Sequence, residues 1–339
     1  MPLKSLLYLG NKLSGKGLNV TTVETLSAQL TEAGYNIVSA SDKKNWFMRL
    51  ADMLWAVVIN RKTAFVLIDT YSTSGFWFAF FASQLCRILQ IRYIPILHGG
   101  NLPNRLKNNP KLSAMVFENA YKNVAPSHYL YQAFKEFGFT NLLFIPNTVE
   151  IHKYSYKERK SVAPKLLWVR AFDAIYNPKM AVDVLCELQR KYSEAKLCMV
   201  GPDKDGSGVL TQEYARSLGL NIRFTGRLSK EEWIAMSKDY DIFINTTRFD
   251  NTPVSVMEAM ALGLPVVSTN VGGIPFLLND KEDALLVNDN DTEAMVNAVH
   301  YLIENHEIAQ EIGVKARRKA EMWDWDVVKV SWNDLLNGG

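Results

Sequence analysis

An α/β fold in two domains, each built on a parallel sheet, follows from three observations on this 339-residue chain. Short apolar segments of strand length alternate with helical stretches through both halves, a pattern that needs parallel strands joined by helical crossovers. A polar tract, HKYSYKERKSVAP at 152–164, interrupts the alternation once. The first apolar segment also runs into a glycine loop and then a helix, which is how a nucleotide-binding α/β domain opens.

In order, residues 6–9 (LLYL) are the first strand, residues 10–17 (GNKLSGKG) the loop, and residues 20–34 (VTTVETLSAQLTEAG) the helix. Further strands are expected at 64–69, 93–97, 123–127 and 142–146. The polar tract is read as a linker over 151–164. The second series runs through 165–172, 196–202, 222–226, 241–247, 264–269 and 284–288. The boundaries expected are therefore 1–150, the linker 151–164, 165–322, and a closing amphipathic helix over 323–339.

The chain is 48% hydrophobic and 22% charged, long enough for two separate cores. It opens without a signal-peptide pattern and holds no apolar run of membrane-spanning length. Cys86, Cys186 and Cys198 lack CxxC spacing, which speaks for a reducing, cytoplasmic setting and against structural zinc. Charge is uneven: residues 1–155 hold 16 Lys or Arg against 8 Asp or Glu, and the rest holds 22 against 27. That asymmetry either steadies a two-domain arrangement or draws the basic half to an anionic acceptor or the inner face of an anionic membrane. No nucleic-acid partner is expected.

The densest signal is DNTPVSVMEAMALGLPVVSTNVGGIP at 250–275. Asp250 falls in a loop of turn formers with Asn251, Thr252 and Pro253, just before a helix that begins near Val254 and ends at Gly263. Glu258 lies inside that helix. The loop brings polar side chains and free amides to a helix N-terminus, where the dipole attracts anions. This arrangement suits a ligand with an anionic middle and hydroxyl-rich ends.

The segment resembles the acid-x7-Glu signature of the retaining glycosyltransferases of family 4, the group 1 glycosyl transferases. Asp250 stands where relatives usually carry Glu, and Phe276 where they often carry Glu after the Gly-Gly-Ile-Pro turn. The resemblance implies the GT-B fold: two Rossmann-like domains with parallel sheets facing across a cleft, acceptor in the first, donor in the second, and the terminal helix crossing back onto the first. It implies a nucleoside-diphosphate sugar, with uridine and guanosine both open as the base, a saccharide or lipid-linked acceptor, and no metal or other cofactor.

Roles follow from the same resemblance. Arg170, at the end of LLWVR, would hold the diphosphate together with Lys179, although relatives place that Lys about five residues after the Arg and here the gap is nine. Glu258 would bind the ribose, and His98 and Asp250 would orient the sugar. Gly201, Gly226, Arg227 and Leu228 would surround the base, and Asn251, Thr252, Pro253 and Val254 the sugar and diphosphate. Apart from the resemblance, the glycines of the 10–17 loop, Gly17 above all, would let the backbone approach the phosphates or the acceptor, Lys12 and Lys16 adding charge there, while Asn101 and Arg105 would meet the acceptor. Ser127 and Asn147 match recurring motifs, Asn147 also reading as a turn former. The glycines equally suit tight turns, and Lys179 an exposed helix start.

Some lookalikes carry no chemistry. Asp203-Lys204-Asp205 has DxD spacing in what reads as an exposed turn, and DKDGSG lacks the acid a calcium loop needs at its twelfth position, Tyr214. The aromatic run at 76–81 reads as core, with an acceptor- or lipid-facing surface as the alternative. Two other activities keep the fold: a nucleotide-sugar epimerase or hydrolase, and a non-catalytic nucleotide-sugar-binding subunit.

Overall fold

The computed structural model describes residues 4–12 and 21–338. It divides into two compact units, Met1–Asn147 with Trp325–Gly339, and Thr148–Asp324.

The first unit runs β1 (Ser5–Leu9), α1 (Thr22–Glu32), β2 (Asn36–Ala40), α2 (Trp46–Ile59), β3 (Phe65–Thr70), α3 (Phe76–Ile88), β4 (Tyr93–Leu97), α4 (Leu102–Asn108), α5 (Pro110–Phe117), β5 (Asn123–Ala125), α6 (His128–Glu136) and β6 (Leu142–Phe144). Its six strands are all parallel, in the order β2-β1-β3-β4-β5-β6. β3 is buried on both faces, as a central strand between helical layers must be. Strand β2 is absent from the strands expected above. It lies at the sheet edge with half-exposed side chains, so it carries little of the apolar signal that marked the others.

Alternate residues of the strands face opposite helical layers. Leu6, Tyr8, Phe65 and Leu67 pack with α1, whereas Leu7, Leu9, Val66 and Ile68 pack with α2 and α3. Helix starts are fixed locally. The Thr21 amide and hydroxyl both donate to Glu24 Oε2, at 2.9 and 2.8 Å, and Asn45 Oδ1 accepts from the Met48 amide at 3.1 Å.

The second unit continues with β7 (Lys165–Val169), α7 (Pro178–Gln189), β8 (Lys196–Val200), α8 (Ser207–Ser217), β9 (Arg223–Gly226), α9 (Lys230–Met236), β10 (Ile242–Asn245), α10 (Val254–Ala261), β11 (Val266–Thr269), α11 (Ile274–Leu277), β12 (Leu285–Val287), α12 (Thr292–Glu304) and α13 (His306–Glu321). Again every strand pair is parallel, in the order β12-β11-β10-β7-β8-β9. The closing helix α14 (Trp325–Asn337) belongs to the first unit. Its Val328, Trp332, Leu335 and Leu336 join the core formed by α1, β1, β3 and β4, and Lys4 Nζ donates to Leu336 O at 2.8 Å.

The tract read as a linker is instead packed on the second unit. Tyr154 is buried, and the buried Arg159 guanidinium donates to the carbonyls of Lys157, Ser237, Tyr240 and Leu262. Burial lowers the Arg159 pKa to about 10, with Asp241 acting in the opposite direction. A polar composition concealed this, because the buried polar atoms here are satisfied by carbonyls that only the folded chain supplies.

Burial also separates the thiols. Cys86 and Cys198 are buried, and the Cys86 thiol is pushed up to about 12 by desolvation, whereas Cys186 is partly accessible. Titration of the native protein with an aromatic disulfide at mildly alkaline pH should therefore modify Cys186 well before the other two, all three reacting after denaturation. Simultaneous reaction of all three in the native protein would contradict this packing.

Candidate active site

Each sheet has one point where successive strands are laid down in opposite directions, and in such folds ligands bind beyond the carboxyl ends of the strands there. In the second unit this point lies between β7 and β10. Arg170 follows β7, and the loop from Thr246 to Pro253 follows β10.

Buried hydroxyls tie these loops to the sheet. Trp168 Nε1 donates to Thr246 Oγ1 at 3.0 Å, and that hydroxyl lies 2.9 and 3.0 Å from the carbonyls of Tyr176 and Asn177. Thr247 Oγ1 donates to Phe249 O at 2.9 Å. The acidic loop then leans on the glycine turn, where the Gly273 amide donates to Asp250 O at 2.7 Å. A Cβ on Gly273 would stand 1.8 Å from Asn251 O, so the approach is open only to glycine. Gly201 serves the same end at β7: its φ is +151° and a Cβ there would meet Arg170 O at 1.8 Å.

Arg170 and Asp250 are brought together. Nη2 of the guanidinium meets Asp250 Oδ2, and the guanidinium carbon lies 4.3 Å from the centroid of the Tyr176 ring. Burial pulls the Arg170 pKa down, opposed by Tyr176, and its Nε has no hydrogen-bond partner among the described residues. Two more buried atoms, Thr252 Oγ1 and Ser255 Oγ, which follow Asp250 closely in the chain, are also unpartnered among the described residues. Since buried polar atoms are nearly always paired, three orphans around a helix start mark a place built for a polar ligand. The first amides of α10, at Val254 and Ser255, have no partner within the helix and add donors of the same sign.

Glu258, on the second turn of α10, is buried. Its Oε1 accepts from Tyr154 Oη at 2.6 Å and lies 3.0 Å from Lys230 Nζ. Burial first, then the Glu258 charge, holds the Tyr154 phenol well above its usual pKa, so it remains a donor. Oε2 takes no part in either contact. Neither Tyr154 nor Lys230 was singled out from sequence; Tyr154 lay in the supposed linker, and a lysine opening α9 has no local signal.

Lys179 is not drawn into this group. Its ammonium lies 2.9 Å from Asp183 Oδ2 and 4.2 Å from the Tyr214 ring, an exposed position on α7. The left-handed Asn177 and Pro178 set the helix start, and the i,i+4 pair fixes the lysine along it. Gly226 takes φ +68°, and its carbonyl accepts from the Gly201 amide at 2.9 Å; Arg227 is exposed and Leu228 half-buried. Asp203 holds the turn into α8, its Oδ1 accepting from the Gly206 amide at 2.9 Å and its Oδ2 from the Val209 amide at 3.2 Å.

In the first unit the corresponding point lies between β1 and β3. His98, directly after β4, is half-buried with Nε2 2.9 Å from Asp69 Oδ1, and the same oxygen accepts from Tyr8 Oη at 2.7 Å. Among the described residues Asp69 Oδ2 is buried without a partner, beside a recess lined by Gly10, Asn11, Tyr71 and Gly75. An ionised carboxylate only accepts, so Nε2 carries the proton and, in the neutral ring, Nδ1 is the acceptor. Asp69 was missed from sequence because it ends an apolar strand, where an acid reads as the strand's stop.

The remaining first-unit residues divide. Arg105 is a packing residue, with Nε donating to Ser72 O at 2.8 Å and the guanidinium 4.2 Å from the Phe76 centroid. Asn101 is exposed at the start of α4, and Lys12 is half-buried with its amide donating to Ser41 O at 2.9 Å. Ser127 caps α6, accepting from the Leu130 amide at 3.1 Å, and Asn147 closes the unit. Lys16 and Gly17 lie outside the described residues.

Comparison with known proteins bears on both units. Residues 153–319 match the family described as glycosyl transferases group 1. The sulfoquinovosyl transferase of Arabidopsis thaliana is 28% identical over 149 residues, 43% of this chain and 28% of that protein. The chain thus spans less than half the length of the curated relatives it matches. Two solved structures share the architecture at 15% identity: sucrose-phosphate synthase from Thermosynechococcus elongatus (TM-score 0.79, 99% of this chain and 98% of that one) and HepE of Anabaena in complex with UDP and glucose (TM-score 0.76, 99% and 100%).

Proposed function

Because residues 153–319 match the glycosyl transferases group 1, and the two parallel sheets are those of the GT-B fold, we propose that this protein is a retaining glycosyltransferase. Its donor is a nucleoside-diphosphate sugar held by the second unit, and its acceptor a saccharide or lipid-linked hydroxyl met by the first. One observation carries the donor reading. A half-buried arginine, a helix N-terminus and unpartnered hydroxyls share the switch point of the second sheet, with a buried carboxylate on the second turn of that helix.

In the reaction, the bond from the anomeric carbon to the diphosphate oxygen breaks and a bond to the acceptor oxygen forms on the same face. The acceptor proton passes to the departing diphosphate. Negative charge grows on that diphosphate, and Arg170 with the α10 amides stabilises it. Glu258, a carboxylate that only accepts, receives hydrogen bonds from the ribose hydroxyls. His98 Nδ1 accepts from a sugar hydroxyl, held in that tautomer by Asp69. No charge-bearing role is needed from Lys179.

The first test is thermal stabilisation by uridine, guanosine, adenosine and thymidine diphosphates and their sugars with a chelator present. A rise in Tm with one base family supports the donor site and its metal independence; no rise with any of them removes it. The anomeric configuration of the product, read by proton NMR, then decides retention.

Asp69→Asn tests the second half of the reading. The nearly isosteric amide can present its N–H to His98, reversing the tautomer. Turnover should fall about a hundred-fold while the affinity for nucleoside diphosphate is unchanged. Equal turnover in a folded variant would remove Asp69 from the reaction.

A further inference from the structure

We propose that the outer faces of α2 and α3 form a docking surface for an anionic lipid bilayer. This proposal rests on the surface of the first unit and is independent of the sugar-transfer reading.

Among the fourteen residues of α2 only Arg49 and Asp52 are charged. Its solvent side carries Phe47, Met48, Ala51, Trp55, Val58 and Ile59, a spacing that places them along one face of a helix. Phe47 is 75% exposed, Trp55 63% and Ile59 61%. Arg49 is turned off this stripe, its Nε donating to Lys43 O at 2.7 Å and its guanidinium lying 5.8 Å from the Phe78 ring.

Helix α3 repeats the pattern. The aromatic run at 76–81 is split by its own helical period: Phe76 and Phe78 go into the core, whereas Trp77 is half-buried and Phe81 exposed on the outer side. Leu85 and Ile88 continue that outer line, with Ile88 77% exposed. Both helices cover the same face of the first sheet, packed through Met53, Ala56 and Val57 against Phe78, Ala79 and Ala82. Their solvent sides therefore lie on the same side of the sheet and both leave large apolar side chains in water, a feature that monomeric soluble proteins rarely leave uncovered.

Charge decides the occupant. Residues 41–62 and 76–89 hold six basic side chains against two carboxylates, Asp42 and Asp52. Lys43 and Lys44 stand before α2, Arg61 and Lys62 follow it, and Arg87 lies in the last turn of α3. An apolar face carrying Trp and Phe, with Lys and Arg at its ends, suits the headgroup boundary of an anionic bilayer, where the rings enter the interface and the cations meet lipid phosphates. A second copy of the chain is disfavoured, because a two-fold interface would set the same basic rim against itself.

The test is co-sedimentation of the full chain with phosphatidylcholine vesicles, with and without phosphatidylglycerol, across a salt series. Binding to the anionic vesicles that weakens with salt is expected. In the double variant Phe47→Ser/Trp55→Ser, partition should fall roughly a hundred-fold with Tm unchanged, since both side chains are already in water. Should that variant misfold, Trp55→Phe serves instead: binding is kept, while quenching of tryptophan fluorescence by brominated lipid drops. The proposal is overturned if the wild type ignores anionic vesicles at low salt, if the folded double variant binds equally well, or if quenching by brominated lipid is unchanged in Trp55→Phe. It is overturned too if the surface proves to mediate self-association, seen as a dimer that the double variant abolishes without any vesicle binding.

Discussion

Arg170→Ala should lower turnover by two to three orders of magnitude, roughly what is lost when a preorganised donor to a developing negative charge is removed. The guanidinium lies against Asp250 and stacks on Tyr176, so it is held in place before any ligand arrives. In the proposed reaction, that preorganisation would make its charge effective on the departing diphosphate. The same burial complicates the variant, because alanine leaves Asp250 as a nearly buried carboxylate without its cation, a change that commonly destabilises by about 3–5 kcal/mol. Stability and chemistry must therefore be read separately. In the double variant Arg170→Ala/Asp250→Asn much of the lost Tm should return while turnover stays low. Arg170→Lys should retain the fold and part of the diphosphate affinity but not the bidentate geometry. Near-normal turnover in folded Arg170→Ala would dismantle the donor site as described.

Glu258→Ala should weaken donor binding by about a hundred-fold, the equivalent of two hydrogen bonds to an ionised group, with a smaller effect on turnover at saturating donor. Calorimetric titration with the cognate nucleoside diphosphate reads this directly, because the ribose is present without the sugar. The residue also has a structural task, since Tyr154 Oη donates to it and Lys230 neutralises it. Two further variants separate the roles. Glu258→Gln preserves an acceptor for Tyr154 but loses the charge opposite Lys230, and Tyr154→Phe removes the tyrosine's bond while leaving the ion pair. If Glu258 binds ribose, both should weaken binding less than alanine does. Unchanged affinity in Glu258→Ala would leave the carboxylate a purely structural anchor for Tyr154 and Lys230.

The residues of the second-unit site differ in how far they could be read in advance. Asp250, Glu258 and Gly273 were legible because one loop, one short helix and one turn follow each other within 26 residues, and local chemistry dictates each of them. Arg170 was legible as the end of an apolar strand. Lys179 was chosen by its place after Arg170, but the nine-residue gap lets the chain turn through Asn177 into α7, where Asp183 holds the ammonium. Asp69, Tyr154 and Lys230 were not legible at all. Each acquires its meaning from a partner at least 28 residues away, and nothing local distinguishes it from an ordinary strand end, linker or helix start.

The same division holds for the molecule. The amino-acid sequence alone determined two parallel α/β units, the positions of most strands along the chain, and the acidic loop leading into α10 with that helix's start and stop, because periodicity, turn chemistry and capping act over a few residues. Tertiary structure alone decided that β2 joins the sheet edge, that residues 151–164 pack on the second unit, that His98 faces Asp69, and which aromatic residues of α2 and α3 are left in water. Those outcomes depend on which distant groups become neighbours. A buried carboxylate or guanidinium is tolerable only where the folded chain delivers its partner, and that partner is fixed by packing rather than by proximity in sequence.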